Sequence, residues 1–135
     1  MLADEIKSSS QTAYSQMLES RELIPRYGQR LMIAEIAKTL AVLSSDEEQE
    51  PPICVCEAGT GTGKTLAYVL AVLPLAQALD LKVVIATATV ALQEQVVNKD
   101  LPEILDGSNL SFSFSLAKGR GRYLCLSKLD MLLRG

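Results

Sequence analysis

Histidine is absent from the 135 residues. That removes imidazole general bases and histidine-ligated zinc from the available chemistry. Cysteine is scarce, and the three present are an odd number. With no secretory leader recognisable, the expectation is a cytoplasmic protein whose thiols stay reduced or bind metal. No apolar run is long enough to span a membrane; the longest, from Leu66, is interrupted by Pro74 and Gln77. No membrane partner is therefore expected. An excess of positive charge is also missing, since the net charge is −3. This excludes a uniformly basic nucleic-acid binder but leaves room for a local basic face. Apolar residues, in contrast, make up 48% of the chain, enough for the core of one modest domain and too many for global disorder.

The strongest signal is Glu57-Ala58-Gly59-Thr60-Gly61-Thr62-Gly63-Lys64-Thr65. It follows an apolar stretch, 53–57, that reads as a buried strand, and precedes a helical pattern over 64–79. Strand, glycine-rich turn and helix together are the context of a P-loop. A triphosphate crowds anionic oxygens into a small volume. Backbone N–H groups can surround it only where side chains do not intervene, which places glycine at 59, 61 and 63. The helix N-terminus adds unpaired N–H groups and partial positive charge. Lys64 would reach the β- and γ-phosphates of ATP, and the Thr65 hydroxyl would hold Mg²⁺. The strict pattern begins with glycine, and here Ala58 takes that place.

In chain order, residues 2–20 read as a helix with Ile6, Ala13, Met17 and Leu18 on one face. Pro25 interrupts, and a second helix is predicted from Tyr27 to Leu43. Gln29 falls in its first turn. It is either a solvated amide or a donor–acceptor pair matched to the edge of adenine. The polar, acidic stretch 44–52, with Asp46, Glu47, Glu48 and Glu50, reads as a solvated loop. Cys54 and Cys56 alternate within the predicted strand and read as core rather than as a metal chelate. Pro74 is expected to kink its helix or end the first part of it. Residues 81–87 read as a second buried strand, completing a βαβ unit; a helix follows over 90–98, with Asp100-Leu101-Pro102 either ending it or beginning the next short helix. Thr87 and Thr89 can serve either as phosphate contacts or, in the case of Thr89, as an ordinary N-cap. Strict alternation over 110–116 predicts a further strand. Lys118, Arg120, Arg122 and Tyr123, with two glycines, form a basic loop that is either solvated or a nucleic-acid contact. A short helix begins at Leu126. The fold class expected is α/β: part of a RecA-like P-loop NTPase domain, a parallel sheet flanked by helices.

The motif order resembles the N-terminal region of DinG-type helicases, the bacterial branch of the XPD-like, superfamily 2, iron–sulfur DNA helicases. The resemblance covers about residues 23–130. It rests on Gln29, the 57–65 loop, Ala-Thr-Ala-Thr-Val-Ala-Leu-Gln-Glu-Gln at 86–95, Lys99-Asp100-Leu101-Pro102, and Gly119-Arg120-Gly121-Arg122-Tyr123-Leu124-Cys125. It implies that Gln29 reads adenine and that Ala58, Gly59, Thr60, Gly61, Thr62, Gly63, Lys64 and Thr65 hold ATP and Mg²⁺. It also implies that Thr87, Thr89, Lys118, Arg120 and Arg122 lie on the DNA path, and that Cys125 is the first of four ligands of a [4Fe–4S] cluster. The implied activity is ATP-dependent 5′ to 3′ unwinding of single-stranded and forked DNA in repair or replication. The implied organisation is an N-terminal helix (1–22), the first part of the motor domain (23–117) and the start of the cluster region (118–135).

The same resemblance marks what these residues do not contain: an Asp-Glu-x-His-type motif, the second motor domain with its arginine finger, and three further cluster cysteines. The expectation is an N-terminal piece of a helicase that does not hydrolyse ATP alone. Self-association through an exposed sheet edge is an added expectation. The alternatives are a small P-loop kinase, a non-enzymatic DNA- or partner-binding module, and a DinG relative without a cluster.

Overall fold

The computed structural model describes residues 2–45 and 50–134. Helix α1 spans Leu2–Ser20, with Asp4 and Glu5 in its first turn where they complement the helix dipole. Helix α2 spans Tyr27–Leu40 and tightens into a 3₁₀ turn at Ala41–Ser44. Helix α3 spans Lys64–Ala78. Helix α4, Val90–Gln95, passes through a π-helical turn at Val96–Asp100 into α5, Leu101–Gly107. Helix α6 spans Leu126–Arg134.

Helix α3 is the centre of the packing. Its sequence is apolar nearly all round, and Ala67, Val69, Leu70, Ala71 and Leu75 are buried. Helices α1 and α2 pack against it, as does the π turn. Ala13, Tyr14 and Met17 come from α1, Ile33 and Ile36 from α2, and Val96, Leu101 and Ile104 from the α4–α5 run. Ser20 Oγ donates to the Gly107 carbonyl at 2.9 Å, tying the end of α1 to the end of α5. The C-termini of α1 and α3 close alike. Glu22 and Asp80 take positive φ (51° and 52°), and the N–H groups of Leu23 and Leu81 reach back to the carbonyls of Leu18 and Ala76, each at 2.8 Å. These are Schellman closures built without the usual glycine.

The expected parallel sheet is not there. Among the described residues no strand forms, and 53–57, 81–87 and 110–116 are joined by no backbone ladder. A strand is defined by its neighbour, and the apolar patterns do not supply one. Each segment instead lays a side chain on the helical core, Cys54, Ile85 and Phe112 respectively. Others are left in solvent, with Val55 and Val84 each 90% exposed. The sheet edge expected to mediate self-association is accordingly absent from the described residues.

Smaller expectations are also corrected. Pro74 does not end its helix; it is buried inside the unbroken α3. The helix from Val90 gives way at Val96, before Asn98, to the π turn, and of the two courses open at Asp100-Leu101-Pro102 the structure takes the second: α5 begins at Leu101, with Pro102 in its first turn, where the missing N–H costs nothing. Cys54 is half-buried, but Cys56 is exposed rather than core. The acidic residues Asp46, Glu47 and Glu48 lie outside the described residues, whereas Glu50 is exposed.

Candidate phosphate cradle and basic patch

The glycine turn meets α3 through Gly63, which occupies the left-handed region (φ 79°, ψ 45°) as the residue before the helix. Gly61 has φ 80°. Both conformations are strained for any residue with a Cβ. No side chain caps α3, and its first intrahelical bond runs from the Ala67 N–H to the Gly63 carbonyl at 3.1 Å. The N–H groups of Lys64, Thr65 and Leu66 precede that bond and have no intrahelical partner. At Gly59 and Gly61 an added Cβ would meet nothing within 4 Å, so the mouth of the turn is open.

Lys64 folds back over the loop, its Nζ donating to the carbonyls of Ala58 (2.9 Å) and Gly59 (3.0 Å). The Gly59 carbonyl also accepts from Thr62 Oγ1 at 2.7 Å and from the Thr62 N–H at 3.3 Å. The ammonium group thus crosses the loop, held by neutral carbonyls that an anionic phosphate would outcompete. Thr60 is exposed and Thr65 half-buried.

The first turn of α2 holds this loop. Gln29 is only 6% exposed, and its Nε2 donates to the Gly63 carbonyl at 3.1 Å. The Arg26 guanidinium donates to the Gly61 carbonyl. The sequence singled out Gln29 as an adenine reader; in the structure at least one of its amide hydrogens is spent on the loop backbone. Arg26 was missed, and its place one turn before Gln29 was the available signal.

A second cluster joins α4 to the loop before α6. Thr89 caps α4, its Oγ1 accepting the Leu92 N–H at 3.2 Å, and Thr87 Oγ1 donates to the Thr89 carbonyl at 3.3 Å. Gln93 ties the two elements together. Its Nε2 donates to the Ala117 carbonyl at 3.1 Å and its Oε1 accepts from Arg122. Arg122 also lies 3.7 Å from the Glu94 carboxylate. The backbone N–H of Lys118 donates to the Tyr123 hydroxyl at 2.9 Å. Lys118 and Arg120 are exposed.

The thiols fall into two places. Cys54 Sγ and Cys56 Sγ are 3.5 Å apart, just before the P-loop. The Cys56 thiol is pushed up by its hydrogen bond with Cys54, with lesser contributions from desolvation and from the charges of Cys54 and Glu35. Cys125 is exposed at the start of α6, its carbonyl accepting the Leu129 N–H at 3.0 Å. A [4Fe–4S] cluster requires four thiolates. Among the described residues no three His, Cys, Asp or Glu side chains come together to hold a metal, so these residues do not fit a cluster. No helix among the described residues is long and apolar enough to cross a membrane. A cavity of about 960 Å³ lies between α1 and α2 and shares no residue with the P-loop.

A glycine turn opening onto bare helix N–H groups, with lysine and threonine as the first two helical residues, has the form of a P-loop nucleotide site. Residues 26–129 match the DEAD/DEAH box helicase family, and the chain belongs to that family. It is 47% identical over 131 residues to the ATP-dependent DNA helicase DinG of Photobacterium profundum, a match that covers 96% of this chain and 18% of that protein. It is 42% identical over 111 residues to the protein of the same name from Escherichia coli (strain K12), covering 82% of this chain and 14% of that one. The Salmonella typhimurium protein of that name is 41% identical over 111 residues, with 82% and 15% covered. The chain spans less than a fifth of the length of these curated relatives.

Proposed function

We propose that these residues are an ATP-binding part of a DinG-type, ATP-dependent DNA helicase that acts in the cytoplasm. The observation that carries the reading is the open turn 58–65 at the uncapped N-terminus of α3, with Lys64 held across it by two carbonyls. A nucleotide triphosphate entering the turn meets the N–H groups of residues 64–66 and replaces the carbonyls as the partner of Lys64. Thr65 supplies a hydroxyl for Mg²⁺, and bound Mg²⁺ would offset phosphate charge. Gln29 and Arg26 hold the loop carbonyls. Thr87, Thr89, Lys118, Arg120 and Arg122 form the contact to the DNA backbone, where threonine hydroxyls and cations position phosphates without reading sequence. For the whole protein we propose 5′ to 3′ unwinding of single-stranded or forked DNA, in repair or replication. Cys125 would be one of four thiolates holding a [4Fe–4S] cluster in the whole protein; the other three are not among the described residues.

The test is Lys64→Ala. Titration with a fluorescent ATP analogue should show micromolar-to-millimolar binding by the parent chain and at least about a tenfold loss in the variant, ~1.4 kcal/mol. Equal affinities would remove the P-loop assignment. The 135-residue polypeptide should turn over no ATP by itself, with or without DNA, because phosphoryl transfer also needs a residue to orient the attacking water and a group to stabilise the transition state.

A further inference from the structure

The dithiol at the entrance to the P-loop belongs to no part of the nucleotide reading. We propose that Cys54 and Cys56 form a peroxide-reactive pair that closes to an intrachain disulfide and thereby weakens triphosphate binding. The second half of this proposal rests on the P-loop reading above.

Three observations support it. The sulfurs are already 3.5 Å apart and face one another. A disulfide bond needs them about 1.5 Å closer. Cys56 is exposed, so a small oxidant reaches it, and Cys54 sits behind it as the resolving thiol. The segment that carries them rests on the core through Cys54 but is held by no ladder, and Ile53 and Val55 are 82% and 90% exposed. In a sheet, contraction of this segment would break paired hydrogen bonds; here it breaks none of that kind.

The chemistry is balanced by hydrogen peroxide as the oxidant. The Cys56 thiolate attacks one peroxide oxygen and the O–O bond breaks. This gives the sulfenic acid and, with the thiol proton, one water. The Cys54 sulfur then displaces the sulfenic hydroxyl. The S–S bond forms, and the displaced hydroxyl leaves with the Cys54 proton as a second water. Two thiols have lost two electrons and one peroxide has gained them. Because the Cys56 thiol is held above its ordinary range, first by its hydrogen bond with Cys54 and then by desolvation, with smaller charge effects from Cys54 and Glu35, the thiolate is scarce at neutral pH and closure accelerates as pH rises.

The consequence follows from position. Glu57 separates the pair from Ala58 and Gly59, whose carbonyls hold Lys64. Shortening the segment at 54–56 pulls those carbonyls and the start of the turn away from the fixed N-terminus of α3. The phosphate cradle loses its shape without losing a residue.

The test treats the 135-residue chain with hydrogen peroxide, alkylates the remaining thiols and digests with trypsin. Thr39–Lys64 contains both cysteines and no internal lysine or arginine, whereas Cys125 falls in Tyr123–Lys128. The expected result is a loss of two hydrogens in the first peptide, with Cys125 in the second outside any internal bridge. The oxidised chain should bind a fluorescent ATP analogue about fivefold more weakly or worse, roughly 1 kcal/mol, with recovery in dithiothreitol. Cys54→Ser should bind normally when reduced and lose the peroxide effect. Sulfinic acids or intermolecular dimers in place of the internal bridge would overturn the dithiol. A mapped bridge with unchanged affinity would overturn the coupling. If the reduced chain binds no triphosphate, the P-loop reading fails, while the peptide map still decides the dithiol.

Discussion

Replacing Gln29 by alanine separates two roles for the residue that joins α2 to the P-loop. Gln29 is 6% exposed and donates to the Gly63 carbonyl at 3.1 Å. Removing the bond does not orphan that carbonyl, because it still accepts the Ala67 N–H at 3.1 Å. The cost is therefore the net worth of one hydrogen bond, about 1 kcal/mol, without a further desolvation penalty. Truncation also removes apolar contact from the buried stem, about another 1 kcal/mol. Urea unfolding should thus show a loss of about 2 kcal/mol in total, with an unchanged m-value. Binding should be measured with two ligands, ATP and inorganic tripolyphosphate. A Gln29 that reads adenine matters only for ATP. A Gln29 that braces Gly63 shapes the phosphate cradle and matters equally for both. The structure favours the brace, so both affinities should fall by a similar factor of about five to ten, ~1–1.4 kcal/mol. Loss of ATP affinity with tripolyphosphate binding intact would refute the brace and favour base recognition.

Two further substitutions test the backbone. Gly63→Ala places a methyl group 2.3 Å from Gln29 Nε2 at a residue with φ 79°; strain and displacement together should cost about 2–3 kcal/mol in unfolding experiments and weaken triphosphate binding. Asp80→Gly relieves a positive φ of 52° at the end of α3 and should raise stability by about 1 kcal/mol, read as a higher urea midpoint; an unchanged midpoint would show that Asp80 is not strained there.

The helices were legible because each carries its own signal. Pro25 separates α1 from α2, a run of apolar residues with few breakers marks α3, and Thr89 caps α4 where the sequence allowed a cap. The sheet was misread because alternation and β-branching record which side chains can share a face, not whether a second backbone lies alongside. Phe112 illustrates the limit. It does pack on the core, as the alternation over 110–116 required, yet the segment is held by Gln77 Nε2 on the Ser111 carbonyl at 2.6 Å rather than by a neighbouring strand. Pro74 was read as a breaker because the sequence does not show that its neighbours Ala71 and Leu75 are buried with it. The site was legible as residue types. The link from Gln29 to Gly63 across 34 positions was not, since nothing local at either end requires it.

Helix α3 explains why the phosphate cradle and the core cannot be tuned independently. Its first turn offers the unpaired N–H groups, and the next two turns contain Ala67, Leu70 and Ala71, all 0% exposed. The loop leading into it is held from outside by Arg26 and Gln29 of the α2 entrance. On the proposed reading, a triphosphate at this N-terminus would bind only the assembled α2–loop–α3 unit, and linkage would make that binding a stabilisation of the packed helices as well. The basic patch stands apart from this unit. Its two halves, the α4 cap and the loop before α6, are tied to one another through Gln93 and Arg122. The patch reaches α3 through the π turn at 96–100, where Val96 is part of the core. A turn wider than the α-helix is the less regular link in that path. It lies between the basic patch and α3, and its side chain Val96 packs in the same cluster as the body of that helix.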